Sequence, residues 1–347
     1  MSFVSEDAER RRIPVAIVSG FLGSGKTSLI NALLKDKRLA NTAVAINEFG
    51  ETPLDHHLID HGDDKTIVLA NGCMCCNLSG DMDEAVMRLF ARTQDGSLPQ
   101  FDRLIVEPSG LADPAPIAQS ILRHPIMSRI FNLESIVVVA DAVLVQGQLK
   151  KHEMVRKQLS LADRIVVTKG DISSQENIAE LRMVFSGLNP LAPVSEAVLG
   201  KIRSDEIFSE RFLDGDRGYQ PVARWFERFA QENTSHVHRH ETGIRSISLT
   251  SDRPVPWHEF EVWLRKVRIR YGRSLLRTKA IVNRLGGERP LVVHAVEHVA
   301  HAPVELDKWP SADRRTRLVL IGQDIDIAEI EQGWCSFLQF VDEKNPS

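Results

Sequence analysis

The chain has only four cysteines, two tyrosines and 6% aromatic residues among its 347 positions. It has no apolar run near the ~20 residues that a membrane helix needs, which excludes a helical membrane protein. It also lacks the surplus of positive charge that binders of nucleic acid or anionic membranes carry: its net charge of −4 argues against both. The first dozen residues are charged and contain no apolar core segment, so they do not read as a secretory signal and a cytosolic protein is expected. Internal repeats and low-complexity tracts are missing. Four cysteines in a reducing compartment make no disulfide framework, yet three of them crowd into Cys73-Met74-Cys75-Cys76, with Cys335 far away. That crowding points to a metal or redox site.

What is present begins with Val15-Ala16-Ile17-Val18-Ser19-Gly20-Phe21-Leu22-Gly23-Ser24-Gly25-Lys26-Thr27. A β-branched apolar run enters G-x-x-x-x-G-K-T, and the helix-forming stretch from Ser28 to Leu34 follows. Strand, glycine-rich loop and helix together are the context of a P-loop. Its backbone N–H groups would turn inward around phosphate oxygens at the positive end of the new helix. Gly20, Gly23, Ser24, Gly25, Lys26, Thr27 and Ser28 are therefore the candidate phosphate-binding residues. Lys26 would reach the β- and γ-phosphates, and the Thr27 hydroxyl would join a Mg²⁺ shell. The chain is expected to bind a nucleoside triphosphate.

Short β-branched runs at 15–19, 43–47, 67–71, 104–107, 136–140, 165–168 and 193–198 alternate with helix-patterned segments. Such alternation predicts an α/β fold, a mainly parallel sheet with helices on both faces. Ligands of such sheets bind outside the carboxyl ends of the strands, and each motif falls at one of those ends. Glu107-Pro108-Ser109-Gly110 stands where a Walker B acid would hold Mg²⁺ through water, with the Gly110 N–H facing a γ-phosphate. Thr168-Lys169-Gly170-Asp171 is placed like the base-reading loop of GTPases. The Asp171 carboxylate would take the paired N–H donors that guanine offers and adenine does not, and the Lys169 stem would cover the base face. Thr168 replaces a commoner Asn, which predicts the loss of one orienting hydrogen bond. Asn47-Glu48-Phe49-Gly50-Glu51 suits a switch loop, although a plain βα turn reads the same way. Past a polar stretch a second unit starts near Gly243, with strands over 244–250, 279–285, 290–299 and 317–322 and helices over 256–271 and 325–338. This predicts a small α+β domain.

In Asn71-Gly72-Cys73-Met74-Cys75-Cys76, three thiols within four residues can converge on one soft or borderline ion such as Zn²⁺, Co²⁺ or Cu⁺. Three ligands leave a fourth position open, which suits delivery better than permanent structure. Taken together, the P-loop, Asn47–Glu51, the thiol cluster, the Glu107-to-Pro114 run and the Thr168–Asp171 loop resemble the CobW-type metallochaperone GTPases, relatives of the nickel-insertion GTPases for urease and hydrogenase. Leu276-Arg277-Thr278-Lys279-Ala280, Arg289-Pro290-Leu291 and Leu318-Val319-Leu320-Ile321-Gly322 resemble the C-terminal domain of that family. The resemblance implies a P-loop GTPase domain over 10–200, a bridging region over 201–242 and a CobW-like C-terminal domain over 243–340. It implies Cys73, Cys75 and Cys76 as transition-metal ligands with Glu48 and Glu51 as switch-loop acids, Thr27 and Glu107 as Mg²⁺ ligands, and metal handling gated by GTP hydrolysis. Pro108 is a departure from the family pattern: it stiffens the turn and removes a donor. A second departure is the shrinkage of a long His/Asp-rich tract to His236-Val237-His238-Arg239-His240.

The remaining histidines weigh less. In extended chain, His236, His238 and His240 share one side, although a solvated loop explains them equally. His56, His57 and His61 follow the candidate switch and would be reserve ligands. His294, His298 and His301 fall on a predicted strand, where the first two stand about 13 Å apart, and read as structural or interface residues. Residues 252–289 hold ten Lys/Arg against four Asp/Glu, either a solvated helix face or a docking patch for an acidic client. The expected function is a GTPase (Lys26, Thr27, Glu107 and Gly110 at the reaction centre), slow without a partner. It would carry zinc or cobalt to a client apoprotein, with homo-oligomers conceivable. The rivals are a P-loop phosphotransferase on a small metabolite, which would prefer ATP, and a non-catalytic nucleotide-gated binding module.

Overall fold

The computed structural model describes residues 4–5, 12–47, 67–71, 78–198, 201–208, 238–239 and 243–344. Two compact units emerge, Arg10–Ser186 with Leu191–Gly218, and Met1–Glu9 with Gly187–Pro190 and Tyr219–Ser347.

The first unit is built on seven strands: β2 (Ile13–Ser19), β3 (Thr42–Asn47), β4 (Ile67–Asn71), β5 (Arg103–Glu107), β6 (Phe131–Asp141), β7 (Arg164–Thr168) and β8 (Val194–Ala197). They run in the order β4-β3-β5-β2-β6-β7-β8, and every pairing is parallel. The helices between them are α1 (Lys26–Leu33), α2 (Leu78–Gln94), α3 (Pro114–Arg123), α4 (Met127–Ile130), α5 (Val145–Lys151), α6 (Glu153–Leu161), α7 (Gln175–Leu188) and α8 (Ser204–Ile207). All five residues of β5 and all eleven of β6 are buried, as expected of strands covered on both faces. Ala16, Val18, Leu29, Ile30, Leu33, Val44, Ile105, Val137, Val139 and Val166 form one core between the central strands and α1. With β2 in the middle, the loops leaving β5, β2, β6 and β7 are neighbours at the carboxyl edge, where an open α/β sheet forms its ligand crevice.

The second unit holds β1 (Val4–Ser5), β9 (His238–Arg239), β10 (Ile244–Ser251), β11 (Leu275–Val282), β12 (Leu291–Val296), β13 (Val299–Ala300), β14 (Val304–Glu305) and β15 (Thr316–Gln323), with helices α9 (Trp257–Tyr271) and α10 (Ile327–Lys344). The order is β1-β14-β12-β11-β15-β10-β9, with β13 beside β12, and the long pairings are antiparallel. Phe260, Leu264 and Val267 repeat at helical spacing, as do Ile327, Ile330, Trp334, Phe337 and Val341. The two stripes close one face of the sheet over Ile247, Leu249, Ala280, Val293, Leu318 and Leu320.

Three expectations need correction here. The strand expected over 279–285 begins four residues earlier and ends three earlier, at Leu275–Val282, because Arg277 is buried within it and interrupted its apolar pattern. The strand expected over 290–299 stops at Val296: Glu297 adopts φ 52°, and the chain turns back into β13. That turn brings His301 to His294, with ring centroids 4.7 Å apart, while His298 stays exposed at the bend. The closing helix continues past 338 to Lys344.

Candidate functional site

Helix α1 begins at Lys26 with Gly25 as its N-cap, at φ 92° and with no side chain capping the first turn. A residue with a Cβ is strained in that conformation, which accounts for glycine there. The uncapped first turn offers N–H groups and the positive end of the helix to an anion. Lys26 is largely buried and its Nζ donates to the Gly20 carbonyl at 3.0 Å, so the ammonium is curled over the loop. Ser24 is buried and its Oγ has no hydrogen-bond partner, an orphaned polar atom inside the loop that a phosphate oxygen can satisfy. The loop therefore fits a nucleotide's phosphates.

Strand β5 lies next to β2 and delivers Glu107, 4% exposed, to the start of α1. The Thr27 hydroxyl donates to Glu107 Oε1 at 2.8 Å. A hydroxyl and a carboxylate in contact beside a phosphate loop are the oxygen donors that a hard divalent cation selects. Beyond Glu107 the chain closes on the P-loop. A Cβ placed on Gly110 would come within 2.6 Å of the Leu22 backbone nitrogen, so glycine is required by close approach. Leu22 and Leu111 are both about half exposed on this surface.

The loop after β7 is tied to the P-loop twice. Thr168 Oγ1 lies 2.7 Å from the Ser24 carbonyl and 3.3 Å from that of Ala140, and the nearer contact takes its single proton. The shorter Thr168 side chain thus anchors the loop with one donated bond, where an Asn would have two N–H donors. Lys169, at φ 57°, donates from Nζ to the Gly23 carbonyl at 3.0 Å and to Asp141 Oδ2 at 2.6 Å. Asp171 is exposed in the first turn of a short 3₁₀ segment, Gly170–Ile172. Lys26, Thr27, Glu107, Gly110, Lys169 and Asp171 thus come from three loops of one sheet edge, those leaving β2, β5 and β7.

Sequence reasoning missed two residues here. Asp141 ends β6 as Glu107 ends β5, a carboxylate after a long apolar run, and that position was a usable signal. It is 1% exposed, and its Oδ1 also accepts from the Val143 and Leu144 amides at 2.8 and 3.2 Å. Gln158 is likewise 1% exposed, and its Nε2 donates to the Gly110 and Ala112 carbonyls at 3.2 and 3.0 Å. Its signal was fainter: a polar residue within the buried stripe of Val155, Leu159 and Ala162.

Glu48, Glu51, Cys73, Cys75, Cys76, His56, His57, His61, His236 and His240 lie outside the described residues. Among the described residues no three His, Cys, Asp or Glu side chains are grouped to hold a metal ion. The strands leading to the thiol segment are in place: β3 and β4 end side by side at Asn47 and Asn71, at the same carboxyl edge as Glu107. Among the described residues no helix is long and apolar enough to cross a membrane.

Fold and site together define a P-loop nucleotide-binding protein with a separate sheet-and-helix unit. Residues 14–196 match the CobW/HypB/UreG nucleotide-binding domain, and residues 244–338 match the cobalamin synthesis protein cobW C-terminal domain. The chain belongs to the CobW/HypB/UreG family. It is similar to the zinc chaperone YjiA of Escherichia coli K12, at 28% identity over 92% of this chain and 96% of that protein. A crystal structure of Zn(II)-bound YjiA GTPase superposes with a TM-score of 0.67 at 26% identity, covering 94% of this chain and 99% of that one. The zinc chaperone CobW of Pseudomonas aeruginosa is 28% identical over 55% of this chain and 58% of that protein.

Proposed function

We propose that this protein is a Mg²⁺-dependent GTPase that carries a transition metal, zinc first among the candidates, and yields it to a client apoprotein. The observation that carries the nucleotide half is the Thr27–Glu107 contact at the foot of an uncapped P-loop helix, beside a base loop bonded to that same P-loop. In this reading the loop amides and Lys26 hold phosphates. Thr27 and, through water, Glu107 hold Mg²⁺, which would offset charge on the β- and γ-oxygens. Asp171 reads guanine, Lys169 covers the base, and the Gly110 N–H meets the γ-phosphate. Unassisted turnover is slow, because the Gln158 carboxamide beside Gly110 is buried, with its NH₂ committed to carbonyls, and is not placed to orient an attacking water.

The metal half rests on the thiols Cys73, Cys75 and Cys76, with Glu48 and Glu51 nearby in sequence, and on the relatives named zinc chaperones. Its physical support is that the segment bearing them leaves β4 three strands from β2, roughly 14 Å along the edge that carries the phosphate loop. The candidate switch loop leaves β3, one of the two strands in between. Nucleotide and metal would then bias one set of loops, each favouring the other only through unequal affinity for two loop states.

A Co²⁺ titration of the full chain, with GDP or a non-hydrolysable GTP analogue, tests this. The wild type should develop a thiolate-to-cobalt absorption band whose midpoint differs between nucleotides, and Cys75→Ala should lack it. Equal midpoints would remove the coupling, and no band at all would remove the metal function. A preference for ATP over GTP would turn the reading towards a phosphotransferase.

A further inference from the structure

Helix α6 has no motif of its own, yet it adjoins the P-loop, the 108–113 loop and the strand that carries the base loop. At its start the His152 ring packs on Phe21 of the P-loop, centroids 4.7 Å apart. In its middle, Lys157 Nζ pairs with Asp113 Oδ2 at 2.6 Å, and Gln158 Nε2 takes the Gly110 and Ala112 carbonyls. Asp113 also caps α3 by accepting from the Ala115 amide at 2.9 Å. After Leu161 the chain passes through two residues into β7 and the base loop. The loop over 108–113 is therefore held from behind by two successive α6 side chains, while its front lies against Leu22.

We propose that Gln158 is a positioning residue for the γ-phosphate-facing loop: its buried amide fixes the carbonyls of Gly110 and Ala112, and discrimination of GTP from GDP depends on that grip. The proposal rests on the GTPase reading above. Three observations favour it over a role in packing alone. A carboxamide in an apolar helix stripe is a costly way to fill space, since Val155 and Leu159 beside it do so with hydrocarbon. Its donors go to the two carbonyls that bracket Leu111, so the 110–111 and 112–113 peptide planes are fixed and the turn is set for the Gly110 amide. Its Oε1 is buried with no hydrogen-bond partner, which leaves an acceptor in reserve. A shift of the loop that turns an N–H towards Gln158 would meet that acceptor on the same side chain. The carboxamide can therefore bond the loop in a second position, as a γ-phosphate sensor requires.

The test compares affinities for GDP and a non-hydrolysable GTP analogue, together with kcat and KM, in wild type, Gln158→Leu and Gln158→Glu. Leucine fills the volume with no donor. It should leave GDP binding within about twofold, and it should cut the GTP-analogue-to-GDP affinity ratio and kcat by roughly tenfold, as loss of two donors to buried carbonyls implies. Glutamate supplies an O–H donor only while protonated, and two facing carbonyls raise its pKa. Gln158→Glu should therefore approach wild type near pH 6 and decline towards the leucine variant near pH 9, a profile that packing alone cannot produce. Unchanged ratio and kcat in Gln158→Leu would overturn the proposal, as would a Gln158→Glu profile parallel to wild type. Failure of both variants to fold would also overturn it, by making Gln158 a residue of the core. If the wild type binds no guanine nucleotide, the GTPase reading fails first; if it binds and hydrolyses GTP while the variants match it, only this inference fails.

Discussion

Replacing Asp141 with Asn separates the base loop from the γ-phosphate loop. The carboxylate is 1% exposed and lies 2.6 Å from Lys169 Nζ, whose side chain is 41% exposed. At an effective dielectric constant near 20, that separation corresponds to about 6 kcal/mol of attraction before desolvation is subtracted. Exposed pairs are worth about 0–1 kcal/mol net, and breaking a fully buried pair costs about 3–5 kcal/mol. With one partner buried and the other partly in water, about 2 kcal/mol is the expected loss, equivalent to roughly 30-fold in affinity. Asparagine keeps the Oδ1 acceptor for the Val143 and Leu144 amides, so the turn into α5 should survive and the protein should stay folded. It turns an NH₂ towards the ammonium, however, and Lys169 leaves its place over the Gly23 carbonyl. Since GDP and GTP share the base, both should weaken together and their ratio should hold. Titration with fluorescent GDP and a GTP analogue measures this directly. A folded Asp141→Asn protein that binds GDP within threefold of wild type would refute the role given to the pair, as would a loss confined to the GTP form.

Thr27→Ala should abolish Mg²⁺-dependent GTP binding and hydrolysis, leaving a weak Mg²⁺-independent GDP affinity; the check is a nucleotide titration with and without EDTA. Trp334→Ala empties a 4%-exposed site that touches Phe260, Trp263 and Phe337, and should destabilise the C-terminal unit by about 3–5 kcal/mol in a denaturant titration. Asp36 is held at a pKa of about 2 by hydrogen bonds from Arg38 and Ser204, below its ordinary 3.8. Its folded-state value is depressed, so its contribution is complete above about pH 4 and is lost as the pH falls towards 2. Asp36→Asn should accordingly lower the melting temperature at pH 6, and the gap to wild type should close by pH 2.

Most of the parallel sheet could be read from the sequence because strands buried on both faces leave uninterrupted apolar runs, and 104–107 or 136–140 can hardly fold otherwise. The start of strand β11 was missed for the complementary reason: it buries Arg277, and no periodic rule expects a guanidinium inside a strand. The hairpin pairing His294 with His301 depends on one left-handed residue, Glu297, whose side chain does not announce that conformation. In the site, residues whose chemistry is carried by fixed spacing were legible: Lys26, Thr27, Glu107, Lys169 and Asp171. Gln158 and Asp141 act through partners 46–48 and 28 residues distant in the chain, and only the folded register of β5, β6 and β7 brings those partners together.

The direct Thr27–Glu107 contact bears on the order of events. The hydroxyl can keep donating to Glu107 while a lone pair of its oxygen binds a cation, so the contact orients that lone pair in advance. The 4%-exposed carboxylate would meet the same cation through water. One hydroxyl and one carboxylate are a thin oxygen set for Mg²⁺, and the phosphates would supply the rest, so Mg²⁺ without nucleotide should bind weakly and the two should load as one unit. Gly110 follows Glu107 by three residues and is pinned through Gln158 to α6, so the carboxylate and the loop that Gln158 holds belong to one short segment. In the proposed reading, Mg²⁺ arrival and γ-phosphate sensing would therefore act on that one segment, which is anchored by a helix that no motif marks.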